Sequence, residues 1–171
     1  FTCGPGMQWN CAILVHSSTA VVREVREDKS GRALAVDVIP EHGSGCLRLI
    51  ALYQPTALDR AGASSKARSE AQRLRSVVLG WRSHKSVRAC VLGGDLNETV
   101  VGAADRIDCN GNPGEEHIGT VHTMLESDGW CDLFRHCCPL SPNTGSTLGH
   151  TYFDPRGGSS RIDFVLAYPD P

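Results

Sequence analysis

The sequence predicts an α+β fold with helices packed outside sheets. Three observations carry that prediction. The first third holds turn-separated strand-like segments, the apolar period then becomes helical near residue 65, and strand-like runs return around a second helical stretch.

Taken in order, Cys11-Ala-Ile-Leu-Val15 reads as a short buried strand, and Val21–Arg26 partly alternates apolar and polar residues as a half-buried strand does. Lys29-Ser-Gly-Arg32 is a turn, Ala33–Ile39 a strand ended by Pro40, and Gly43-Ser-Gly45 a second turn before the strand Leu47–Tyr53. Strands so closely spaced argue for an antiparallel meander. Ser64 or Ser65 is placed to cap a helix running to about His84, with Ala67, Ala71, Leu74, Val78 and Trp81 at helical spacing. Its other face carries Lys66, Arg68, Arg73, Arg75 and Arg82. A solvated basic face is the expected reading, and phosphate binding is the alternative. Val87–Leu92 is a buried strand closed by Gly93-Gly-Asp-Leu-Asn97, and Thr99–Pro113 reads as loop. Glu115–Ser127 is expected as a second helix with the stripe Ile118, Val121, Met124 and Leu125, and Cys131–Phe134 as a short strand. A loop spans Pro139–Gly149. The strands His150–Phe153 and Arg161–Leu166 follow, joined by a turn at Asp154–Gly158.

A chain of 171 residues without repeats or linker composition is expected to form one domain over residues 1–171. The formal net charge of −2 gives no global sign of nucleic acid, although a carboxylate-held cation would add its own positive charge. No apolar run approaches bilayer-spanning length, and no secretory leader is read at Phe1. The eight cysteines are irregularly spaced and several lie in apolar runs, so buried free thiols are expected rather than a disulfide framework. Cys109, His117 and His122 could ligate zinc, but no CxxC pair accompanies them, and loop and helix roles are expected.

Four places carry candidate chemistry. Residues two apart on a strand share a face, so Asp95 and Asn97 present a carboxylate and an amide together, beside Gly93 and Gly94, which leave room for a ligand. The pair can serve as base or metal ligand with a phosphate-binding amide, or simply satisfy a strand-to-loop turn. Asp163 lies in an apolar strand and needs a partner. It either orients a catalytic histidine or pairs with Arg161. Tyr53, in Leu52-Tyr-Gln-Pro55, can direct its hydroxyl at a phosphate oxygen or pack as a strand tyrosine. Asp132 and Arg135 can pair near a turn, and Thr151 can offer its hydroxyl to substrate or serve only as a strand former.

The order Tyr53-x-Pro55, Gly93-Gly-Asp-x-Asn97, Asp132-x-x-Arg135, Thr151-Tyr-Phe153 and Ser160-Arg-Ile-Asp-Phe164 resembles the endonuclease/exonuclease/phosphatase superfamily. It is most similar to the AP-endonuclease-like domains of LINE-type retrotransposons, over Ala12 to Leu166, with Asp105-Arg106 and Gly31-Arg32 also in place. The resemblance implies a four-layer αββα sandwich and hydrolysis of phosphate esters with Mg²⁺, Mn²⁺ being an alternative. It gives Asp95 the activation or orientation of the attacking water, Asn97 the binding of the scissile phosphate or the placing of that water, and Asp163 the orientation of a histidine. Tyr53, Thr151 and Arg161 become substrate-binding residues.

DNA is the implied partner, within a larger polyprotein carrying reverse transcriptase, in the nucleus and away from membranes. The family also has a metal-binding Glu on an early strand and a terminal Ser-Asp-His. Neither is matched in this sequence, so the expectation is an incomplete sandwich, truncated at both ends, of low activity and marginal stability. The metal ligands are accordingly left unassigned. An inositol phosphate, sphingolipid or RNA substrate, or a non-catalytic nucleic-acid-binding remnant, are the alternatives.

Overall fold

A computed structural model of the chain describes residues 11–43, 45–55, 65–82, 86–114, 119–139 and 147–168. The meander forms as expected. Strands β1 (Ala20–Glu27), β2 (Ala33–Pro40) and β3 (Cys46–Leu52) pair antiparallel in sequence order. Gly31 makes the turn before β2 at φ 73°, in the left-handed region that glycine occupies without a Cβ penalty. Helix α1 (Ser65–Arg82) then crosses over, so that β4 (Val87–Asp95) lies parallel to β3.

The middle of the chain departs from the expected layout. The segment 99–113 contains a single helical turn, α2 (Gly102–Asp105), and the strand β5 (Arg106–Ile107). Helix α3 is described over Thr120–Glu126, and residues 115–118, expected as its first turn, lie outside the described residues. The short strand expected at Cys131–Phe134 stops after two residues, as β6 (Cys131–Asp132). The Asp132 carboxylate accepts the Arg135 backbone N–H at 3.2 Å and so caps α4 (Leu133–Cys137). The last strands are β7 (Tyr152–Phe153), β8 (Ser159–Ser160) and β9 (Asp163–Tyr168).

Two sheets result. The larger has the order β1-β2-β3-β4-β9-β6, and the smaller β5-β8-β7. One face of the larger sheet packs against helices. Ala33, Ala35, Ile50, Leu52, Cys90, Leu92, Phe164 and Leu166 meet Leu74 and Val78 of α1 and Val121 and Met124 of α3 in one buried cluster. The other face gathers Leu34, Val36 and Val38 with Leu47, Leu49, Ala51 and Tyr53, beneath Cys11, Ile13 and Val15. Residues 11–15 thus cover a sheet face rather than forming the expected strand; the Cys11 N–H reaches the Gly31 carbonyl at 3.2 Å.

Charge is buried between sheet and helix as well. Arg48, 1% exposed, donates from Nη2 to Asp37 Oδ2 at 2.6 Å across the β2–β3 register, and from Nη1 to the Trp81 carbonyl near the end of α1. A fork of donors there satisfies a helix-end carbonyl that has no intrahelical partner. The cysteines divide. Cys11 and Cys90 are buried thiols as expected, whereas Cys109 and Cys137 are exposed. No described helix is long and apolar enough to cross a membrane.

Candidate active site

The C-terminal end of β3, the C-terminal end of β4 and the start of β9 lie side by side. Asp95 and Asp163 are direct partners across the antiparallel β4–β9 pair. Ala51 pairs with Gly93 across the parallel β3–β4 pair, so two residues further on Tyr53 reaches the level of Asp95. Alternation places all three side chains on one face. Cys90, Leu92, Phe164 and Leu166 take the helix side, and Tyr53 packs with Leu49 and Ala51 on the other. Tyr53, Asp95 and Asp163 therefore form a row across three adjacent strands. Arg32 stacks beside it, with its guanidinium carbon 5.2 Å from the Tyr53 ring centroid.

Close strand approach makes this row possible. A Cβ on Gly94, whose φ is +153°, would stand 1.9 Å from the Leu52 carbonyl oxygen. Only glycine lets β4 run past the end of β3 to deliver Asp95. Beyond the strand, Asn97 is the one described non-glycine residue with positive φ, at 50°. Two hydrogen bonds hold it there. Its backbone N–H donates to Asp95 Oδ1 at 3.0 Å, and its side-chain amide donates to the Gln54 carbonyl at 2.9 Å. Asparagine adopts left-handed backbone more readily than most non-glycine residues, and these two contacts fix it beside the row.

Burial raises the pKa of Asp95. The Asn97 N–H opposes that shift, and the facing Asp163 reinforces it. The row thus holds two like charges at close quarters, an arrangement that favours capture of a proton or cation.

Thr151 and Arg161 both support the entry to β9. The Thr151 hydroxyl oxygen accepts the N–H groups of Ile162 and Asp163 at 3.3 and 3.2 Å. Arg161 is 2% exposed, with its guanidinium committed to Asp105 and Asp132. It is an interior residue whose guanidinium faces these two carboxylates. It does not pair with Asp163, because residues 161 and 162 precede β9 and Arg161 turns away from the row. No described histidine hydrogen-bonds Asp163. His150, the histidine nearest in sequence, instead bonds Ser159 Oγ at 2.8 Å and the Ala104 carbonyl at 3.1 Å.

Sequence reasoning missed Gln54. It is 0% exposed with its side-chain amide unpartnered, while its backbone joins both halves of the site through Asn97 and through a 3.0 Å N–H bond to the Asp95 carbonyl. Its position between Tyr53 and Pro55 was the available signal.

The described residues do not by themselves complete a magnesium site. Asp95 and Asp163 are hard oxygen donors, but no group of three or more His, Cys, Asp or Glu residues suited to a metal occurs among the described residues.

No family model matches the sequence, and no curated protein matches it. Solved structures do match. An AP endonuclease from Leishmania major aligns at a TM-score of 0.56 with 16% identity, over 82% of this chain and 47% of that one. An endonuclease/exonuclease/phosphatase family protein from Bacteroides thetaiotaomicron aligns at 0.52 with 16% identity, over 90% and 53%. TDP2 from D. rerio, complexed with a single-strand DNA product, aligns at 0.52 with 16% identity, over 90% and 55%. The chain has the endonuclease/exonuclease/phosphatase fold. It spans about half the length of the structures it matches.

Proposed function

We propose that this chain carries part of the active site of a phosphodiester hydrolase, and that its substrate is DNA, nicked in the manner of a retroelement-type endonuclease. The observation that carries the reading is the row Tyr53, Asp95 and Asp163 at three adjacent strand ends, with Asn97 held in left-handed backbone beside it. A fold shared with an AP endonuclease and with a DNA-bound TDP2 supports the choice of substrate.

In this reading Asp95 takes the proton of the attacking water, a task suited to a carboxylate whose proton affinity is raised. Asn97 and Tyr53 donate to the phosphoryl oxygens, and Asp163 orients a histidine that is not among its described partners. Mg²⁺ or Mn²⁺ dependence belongs to the same proposal, and no step is drawn through the metal.

The test is nicking of supercoiled plasmid by the 171-residue chain with Mg²⁺, with Mn²⁺ and with EDTA, against Asp95→Ala. The expected outcome is slow, EDTA-sensitive nicking that falls by about a thousandfold or more in the variant, as for loss of one member of a catalytic unit. Equal nicking by both proteins would assign the activity elsewhere and sink the proposal. Cleavage of RNA or a phosphoinositide without DNA nicking would keep the hydrolase and overturn its substrate.

A further inference from the structure

Three motifs that the proposed chemistry does not use, Asp105-Arg106, Asp132-x-x-Arg135 and Ser160-Arg161, converge on one buried cluster. Asp105 is 0% exposed. Its Oδ2 accepts the N–H groups of Val100 and Val101 at 3.1 and 2.9 Å. Its Oδ1 accepts Arg161 Nε at 3.0 Å and Arg135 Nη2 at 2.7 Å. The fork of Arg161 also donates to both oxygens of Asp132, and its guanidinium carbon lies 4.2 Å from the Phe164 ring centroid. Two arginines thus balance two aspartates, and Asp105 accepts four donors.

This cluster is wired to the active-site row through backbone. The Arg161 N–H donates to the Asp105 carbonyl at 2.8 Å, and one residue later the Ile162 carbonyl accepts the Leu96 N–H at 2.8 Å. Leu96 follows Asp95, and Asp163 follows Ile162. The backbone carrying each carboxylate of the row is therefore tied, within one residue, to a segment that Asp105 holds. A buried charge held this way resists small displacements, because losing one partner leaves an unpaired charge in a low-dielectric interior.

We infer that Asp105 is a positioning residue that, acting through Arg161, fixes the entry to β9 and so sets the spacing of Asp95 and Asp163. It touches no substrate. The inference deepens the proposed hydrolase reading and rests on it for its functional meaning.

The test needs neither metal nor substrate. Carboxyl ¹³C NMR follows the titration of Asp95 in the full chain and in Asp163→Asn. The Asp163→Asn change lowers the Asp95 midpoint, because it removes a facing negative charge. The same comparison is then made in an Asp105→Asn background. Loss of the Asp163-dependent shift, with the β2–β3 amides still protected from exchange, is the expected result. An unchanged shift in a folded Asp105→Asn chain overturns the inference.

Should Asp105→Asn fail to fold, amide exchange in the unsubstituted chain decides. The N–H groups of Leu96 and Arg161 are expected to exchange as slowly as those of β2–β3. Exchange a hundredfold faster would show that the β9 entry is not fixed, and would also overturn the inference. A chain that shows the coupling but nicks no DNA keeps this inference and counts only against the proposed function.

Discussion

At the scale of single residues, the candidate site is held against its own electrostatics. Asp95 is partly buried and faces Asp163, so its folded-state pKa lies above its ordinary value of 3.8. A carboxyl group with a raised folded pKa contributes stability that is present below 3.8 and is lost as the pH rises through the folded value. Asp95→Asn is therefore expected to raise the melting temperature at pH 7 while abolishing nicking, and to leave it nearly unchanged below pH 3.8. Thermal melts at the two pH values check this. A lower melting temperature at pH 7 would mean that the facing carboxylates are not in repulsion. Under the proposed function the gain is a stability–function trade, in which a group needed for chemistry is left in an unfavourable place.

At the scale of elements, glycine decides how far β4 runs. The apolar pattern covers only Val87–Leu92, and pairing with β3 on one side and β9 on the other carries the strand through Gly93 and Gly94 to Asp95, short of Asn97. A hydropathy pattern does not register pairing by residues without side chains. Gly94→Ala would drive a Cβ into the Leu52 carbonyl. It is expected to cost about 3 kcal/mol or more and to separate the ends of β3 and β4. Denaturant unfolding measures the cost, and a change under 1 kcal/mol would show that the strands approach less closely than described. Arg161 illustrates the opposite error. Alternation put it on a strand face with Asp163, but its neighbours in space come from 29 and 56 residues away. Separations of that length cannot be read from local pattern.

At the scale of the whole molecule, the basic helix is a structural clamp. Arg73 donates to Asp28 at 2.6 Å and to Glu70 at 2.8 Å, Arg75 to Asp128 at 2.6 Å, and Arg82 to the Asp128 carbonyl while stacking over Tyr168. Arg73 keeps part of the expected solvated character, but carboxylates from the β1–β2 turn and the end of α3 pair with Arg73 and Arg75, and a backbone carbonyl holds Arg82. Asp28 is buried, and the hydrogen bond from Arg73 lowers its pKa from 3.8 to about 2. A depressed carboxyl pKa contributes stability present above 3.8 and lost as the pH falls through about 2. Asp28→Asn is expected to destabilise the chain by on the order of 2 kcal/mol at pH 7 and hardly at all near pH 2. Urea unfolding at both pH values checks it, and an equal effect at the two would mean that the pair does not carry the difference.

By itself the sequence determined what short-range regularity can encode. The antiparallel meander follows from period-two runs between turns and α1 from its apolar stripe, and Tyr53, Asp95 and Asp163 stand out singly at strand ends, whereas their alignment in one row comes from the β3–β4 and β4–β9 pairings. Only the tertiary structure decided where buried charges go. Asp105, Asp132, Arg135 and Arg161 close on one another, and Arg48 on Asp37 and Trp81, because a guanidinium or carboxylate leaving water takes whichever complementary group the packed chain brings near. That choice depends on distance in space, and nothing in the spacing of residues along the chain records it.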